Sequence, residues 1–176
     1  MIRKKALVGV VSGSTSDFPT LEATLSTLDE LEIPYSLDVK SAHRTPDDME
    51  QYAKEAKQNG LKVIIAVAGG AVDLSGMIAA HTSLPVIGLP VKTSALNGVD
   101  SLYSMVQMPE GIPVAVVGID RGKNAALYAA RILAGYSKDI EKRVIAYGNK
   151  LTSDTRTNSQ NEISKIRKSG RHPYMV

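Results

Sequence analysis

Cysteine and tryptophan are absent from the chain, and phenylalanine occurs once. Without cysteine no disulfide can staple the fold, and neither a thiolate nucleophile nor a cysteine-ligated metal is available. The scarcity of large aromatic rings argues against stacking platforms for single-stranded nucleic acid. Histidine is rare as well, at positions 43, 81 and 172. No two of these stand at metal-ligand spacing, so a metal site is not expected. No apolar run is long enough to span a bilayer. The opening residues, Met1 to Lys5, lead straight into an apolar run with no signal-peptide pattern. A cytoplasmic protein with neither a membrane nor a nucleic-acid partner is the expectation. What is present is the composition of a globular domain, 43% hydrophobic and 22% charged over 176 residues, enough for one substantial core.

Charge is unevenly distributed. Residues 137–176 carry nine Lys/Arg against four Asp/Glu in a chain of net charge +3, which leaves residues 1–136 at about −2. The basic character therefore belongs to the tail, not to a folded surface of the kind that binds nucleic acid. A division follows: residues 1–136 as the catalytic α/β domain, and residues 137–176 as a C-terminal helix and basic polar tail. The Ser/Thr/Asn-rich stretch after Lys150 predicts a helix only to about Gly148, followed by chain without fixed structure.

Within residues 1–136, short apolar runs alternate with amphipathic stretches. Ala6–Val11 reads as a strand buried on both faces, and Leu21, Leu25 and Leu28 follow at helical spacing. Tyr35–Lys40 suits a second strand. Thr45-Pro46-Asp47-Asp48 reads as a helix start, with Thr45 as N-cap, Pro46 in the first helical position and Asp48 three residues after the cap. Met49, Tyr52, Ala53 and Ala56 form that helix's apolar face and Gly60 ends it. Val63–Val67, Pro85–Leu89 and Val114–Ile119 supply three further strands, and a helix runs from about Asn124 to Ala134. Repeated strand-then-helix units imply a parallel sheet covered by helices on both faces, a three-layer α/β/α fold.

Ligands of such sheets bind beyond the carboxyl ends of the strands. Three polar loops follow strands here and would share that edge. The first, Ser12-Gly13-Ser14-Thr15-Ser16-Asp17, offers hydroxyls and backbone N–H groups at a helix start, where an anion is stabilised. Asp17, an acceptor when ionised, suits ribose hydroxyls. Read alone, this loop is equally compatible with a simple capped turn. The second, Ser41-Ala42-His43-Arg44, places an imidazole that titrates near neutral pH beside a guanidinium able to hold a phosphate or carboxylate. The third, Ala68-Gly69-Gly70-Ala71, lets a ligand approach the backbone closely, or serves tight strand–helix packing. Asp73 adds a carboxylate near the same edge, either orienting a histidine or standing as an exposed loop residue. His81 and His172 read as structural.

With these loops in view, the sequence resembles the N5-carboxyaminoimidazole ribonucleotide mutase family of purine biosynthesis. The resemblance rests on GSTSD at 13–17, SAHRTPD at 41–47, GLKVIIAVAGGA at 60–71, LPVIGLPV at 84–91 and SALNGVDSLYSMVQMPEGIPVAVVGI at 94–119, and covers about residues 6–135. It implies a flavodoxin-like domain assembled as a homo-octamer, and transfer of a carboxylate from the exocyclic nitrogen to carbon 4 of an imidazole ribonucleotide without any cofactor. Carried over, Gly13, Ser14, Ser16 and Asp17 would hold the phosphate and ribose. Ser41, Ala42, His43 and Arg44 would line the reacting ring and phosphate. Gly69, Gly70 and Ala71, followed by Asp73 and Leu74, would wall the pocket in which carbon dioxide is released and recaptured. His43 would act as general acid, then as general base. The family usually reads A-H-L-P-G where this chain has Val72-Asp73-Leu74-Ser75-Gly76. The branch that carboxylates aminoimidazole ribonucleotide directly has Leu-Ser-Gly there but lysine in place of Arg44. Direct carboxylation, or a paralogue binding a related nucleotide-like ligand, therefore stands beside the mutase as an alternative.

Overall fold

A computed structural model of the chain describes residues 5–171, so His172 lies outside the described residues. Five parallel strands form the central sheet: β1 (Val8–Ser12), β2 (Tyr35–Val39), β3 (Val63–Gly69), β4 (Val86–Val91) and β5 (Ala115–Val116). Their order is β2-β1-β3-β4-β5, the flavodoxin-like arrangement, with the direction of winding reversing between β1 and β3. The helices are α1 (Phe18–Glu30), α2 (Pro46–Glu55), α3 (Leu74–His81), α4 (Val99–Val106), α5 (Gly122–Ala134) and α6 (Lys138–Lys168).

Alternation of side chains along the strands assigns each residue to one of two cores. Val8 and Val10, Val63, Ile65 and Val67, and Ile87 and Leu89 join the core under α1, α5 and the start of α6. Val11, Ile64, Ala66, Ala68 and Val86 face the other way and pack with α2, α3 and α4. Both faces of the sheet are thus covered, which is why β1, β3 and β4 read as unbroken apolar runs.

Helix α5 buries Gly122, Ala125, Ala126, Ala129, Ala130 and Leu133, a stripe of mostly small residues at helical spacing. Small residues let it approach α1 closely. A Cβ on Gly122 would stand 2.6 Å from Thr24 Oγ1 and 3.0 Å from the Thr20 carbonyl.

Three expectations differ from the observed elements. The fifth strand is two residues long, because only Ala115 and Val116 pair with β4 at the sheet edge. Thr45 does occupy the N-cap of α2 with Pro46 after it, but its hydroxyl makes no cap hydrogen bond. It is drawn back into the preceding loop, accepting from the Ser41 N–H at 3.0 Å. The largest difference is α6, which continues to Lys168 instead of stopping near Gly148. Ser137 caps its first turn, Ile140, Val144 and Tyr147 pack against the first core, and Arg143 pairs with Asp139 and Glu32. Beyond Lys150 every described residue is exposed. Acidic residues in the first turn and Lys165, Arg167 and Lys168 in the last oppose the helix dipole and sustain a polar helix that composition alone does not announce.

Candidate active site

The reversal of winding at β1 and β3 opens a crevice at their carboxyl ends, and β2 lies on the other side of β1. The loops after these three strands consequently meet. Together they line a cavity of about 310 Å³ bounded by Gly13, Ser14, Ser16 and Asp17 from the first loop and Ser41, Ala42, His43 and Arg44 from the second. The third contributes Ala68, Gly69, Ala71, Val72, Asp73 and Leu74. Of the residues singled out from the sequence, only Gly70 is missing from this lining. It has φ +80°, and its N–H donates to Ser101 Oγ at 2.8 Å, on the α4 side of the loop.

The first loop is a short 3₁₀ turn, Thr15–Asp17, leading into α1. Ser14 caps it: its hydroxyl oxygen accepts from the Ser16 N–H at 3.3 Å and lies 3.0 Å from Ser16 Oγ. Ser12, fully buried at the end of β1, donates to the Ser14 carbonyl at 2.7 Å and stands 3.2 Å from Asp17 Oδ2. Burial pushes the Asp17 carboxyl above the usual carboxylate range. Hydrogen bonds from Ser12, Ser16 and the Ser14 backbone, and the nearby Arg44 guanidinium, oppose that shift.

Arg44 ties the second loop to the first. Its Nη2 donates to the Gly13 carbonyl at 3.2 Å, and its Nε donates to Ser41 Oγ at 3.3 Å. The guanidinium thus bridges Gly13 and Ser41 and lines the same cavity as Ser14 and Ser16. Such a cluster can hold an anionic group through charge-assisted hydrogen bonds.

His43 and Asp73 line the same cavity and touch each other. His43 Nε2 lies 2.5 Å from Asp73 Oδ2, and both side chains are 61% exposed. The two residues are thirty positions apart and come from different loops, so their contact is a product of the fold. His81, by contrast, ends α3 away from the cavity lining.

Two supporting residues were not evident in the sequence. Ser12 read only as the first residue of the polar loop, yet as the last residue of β1 it fixes the first turn through the Ser14 carbonyl and Asp17. Ser101, fully buried in α4, donates to the Val91 carbonyl at 2.8 Å while accepting from Gly70. It holds the third loop from a segment thirty-one residues distant, and no local pattern marks it.

Residues 7–154 match the model of the AIR carboxylase family. The chain is 52% identical over 147 residues to the N5-carboxyaminoimidazole ribonucleotide mutase of Pyrococcus horikoshii, covering 84% of this chain and 83% of that one. The mutase of Bacillus subtilis is 54% identical over 140 residues, with 78% and 86% covered. Among solved structures, Treponema denticola PurE superposes with a TM-score of 0.76 at 33% identity, covering 94% of this chain and 99% of that one.

Proposed function

We propose, from the premise that the chain belongs to the AIR carboxylase family, that it is an N5-carboxyaminoimidazole ribonucleotide mutase acting in purine biosynthesis. The observation that carries this reading is the shared cleft: an anion-holding turn, a guanidinium and a single imidazole line one cavity at the winding reversal.

Ser14, Ser16 and the backbone of the first turn bind the phosphate, with Arg44 completing the charge. Asp17 accepts from the ribose hydroxyls. The heterocycle then lies toward His43, with Gly69 and Ala71 on its far side. His43 gives a proton to the exocyclic nitrogen as the carbon–nitrogen bond breaks and carbon dioxide leaves. Carbon 4 of the ring attacks the confined carbon dioxide, forming the carbon–carbon bond. The proton lost from carbon 4 returns to His43, so the imidazole ends as it began. The small residues of the third loop leave room for carbon dioxide while excluding water, and holding it against the ring makes recapture effectively unimolecular.

Two further readings belong to the proposal. No helix among the described residues is long and apolar enough to cross a membrane, and a cytoplasmic location fits a pathway of phosphorylated intermediates. The protein acts as a homo-octamer. Support comes from the apolar side chains left exposed along α4, Val99, Tyr103 and Val106, and just before it Leu96, a run of exposed apolar residues of the kind that marks an interaction surface.

The test is an assay of the purified protein with N5-carboxyaminoimidazole ribonucleotide, followed by appearance of the carbon-4 carboxylate. His43→Asn is expected to lower kcat by about 10²–10⁴-fold with an unchanged circular dichroism spectrum. Turnover of aminoimidazole ribonucleotide that requires bicarbonate, with none of the carboxyamino compound, would assign the direct carboxylation instead.

A further inference from the structure

Asp73 sits at the start of α3, in the N-cap position, yet its side chain makes no capping hydrogen bond. Aspartate there ordinarily accepts from the N–H groups one turn ahead. Here the carboxylate turns outward to His43 Nε2 at 2.5 Å, and only the Asp73 backbone carbonyl serves the helix, accepting from the Met77 N–H at 2.9 Å. The direction of the carboxylate is set by its neighbours. Val72 and Leu74 are 1% and 2% exposed, both anchored in the core beneath α2 and α3, and Ala42, next to His43, packs against the same cluster. The two loops are thus pinned to one apolar base, and the polar residue of each projects from it into the cavity.

An ionised carboxylate only accepts hydrogen bonds, so the proton shared in this contact resides on Nε2. In the neutral imidazole the other nitrogen, Nδ1, then carries the free lone pair. Among the described residues the ring makes no second hydrogen bond, and Nδ1 is the nitrogen left to exchange a proton with a ligand. We infer that Asp73 is a positioning residue for His43, holding Nε2–H so that Nδ1 serves the reacting atoms, protonated in the imidazolium that gives the first proton and bare in the neutral Nε2–H tautomer that takes it back. This rests on the proposed role of His43 as acid and base. Asp73 neither receives the substrate's proton nor contacts the reacting atoms in this scheme; it acts through the imidazole, as a carboxylate does when it orients a catalytic histidine.

Ring-¹⁵N spectra of histidine-labelled protein, free of ligand, test the inference, with His43→Asn used to assign the signals. The neutral His43 ring is expected in the Nε2–H form in the wild type and as a mixture of tautomers in Asp73→Ala. Steady-state kinetics should show kcat for Asp73→Ala down by about 10²-fold or more, KM within about threefold, and at least tenfold recovery in Asp73→Glu. Both side chains are well exposed, so folding is not at stake; Asp73→Asn, which keeps the shape and removes the charge, should fall between. Unchanged ring shifts in Asp73→Ala overturn the inference whatever the rate. A rise in KM with kcat intact also overturns it, since that would make Asp73 a substrate contact. If the wild type fails to turn over the carboxyamino substrate, the proposed function falls, while the tautomer measurement still decides the role of Asp73.

Discussion

Asp17 joins two jobs that pull in opposite directions. Its carboxyl is buried next to Ser12, and burial holds it above its ordinary value of 3.8, yet the role proposed for it, accepting from ribose hydroxyls, calls for an acceptor. Because the folded chain holds this proton more tightly than the unfolded chain, the group favours folding most at low pH. That contribution declines as pH rises from about 3.8 through the raised folded value, then levels off. Replacing Asp17 with Asn removes the declining component. Thermal melts of the ligand-free protein should show the variant gaining on the wild type as pH is raised from 4 toward neutrality. A wild type that instead gains on the variant over that range would mean the hydrogen bonds from Ser12 and Ser16 outweigh the loss of hydration.

Between the sheet and its covering helices, fit is decided by single atoms. Gly9, in the middle of β1, lies under Tyr52 of α2: a Cβ there would stand 2.3 Å from the Tyr52 hydroxyl oxygen and 2.7 Å from Leu61 Cδ1. The Tyr52 hydroxyl is buried and, among the described residues, has no partner in good hydrogen-bond geometry, the Ser36 side chain being its nearest polar neighbour for a weaker interaction. Gly9→Ala should therefore destabilise by about 1–3 kcal/mol through overpacking. Tyr52→Phe should be neutral or stabilising by about 1 kcal/mol, since it deletes a poorly paired polar group. Urea denaturation of the double variant checks the pair: Gly9→Ala should cost less when residue 52 is Phe, because the closest atom is gone. Strict additivity would show that strand and helix shift apart instead of clashing at that oxygen.

The molecule has two kinds of exposed surface outside the cleft. Along α4 the exposed residues are apolar, whereas the far half of α6 is a polar helix carrying isolated apolar residues, Leu151, Ile163 and Ile166. From Leu151 onward every described residue of α6 is exposed, so this half gains little from tertiary packing, which normally supplies most helical stability. The octamer proposed above gives both surfaces a partner. Light scattering is expected to return eight chains for the wild type and smaller species for Tyr103→Lys, which puts a charge in the middle of the apolar face. A monomeric wild type would remove this reading without touching the chemistry of the cleft.

Much of this was legible in residue order because it depends on local rules. Two-sided burial makes β1, β3 and β4 continuous apolar runs, and Pro46 and the helical spacing of apolar residues mark α2 and α5. The three polar loops declare themselves by following strands, and their convergence on one edge comes from parallel topology. Polar helices are harder to read: α6 continues past Gly148 through capping and charge placement, and its distal half has no apolar face to reveal it. Pairings across sequence were hidden for a simpler reason. Ser101 supporting Gly70 joins residues whose separation along the chain carries no trace of their distance in space, and Asp73 turned to His43 was one of two roles that residue order left open. The order of residues supplied the groups and the edge on which they gather. Packing of the loops onto a common apolar base chose which of them touch, because a carboxylate can cap its own helix or hold a neighbouring imidazole, and only a fixed backbone selects between the two.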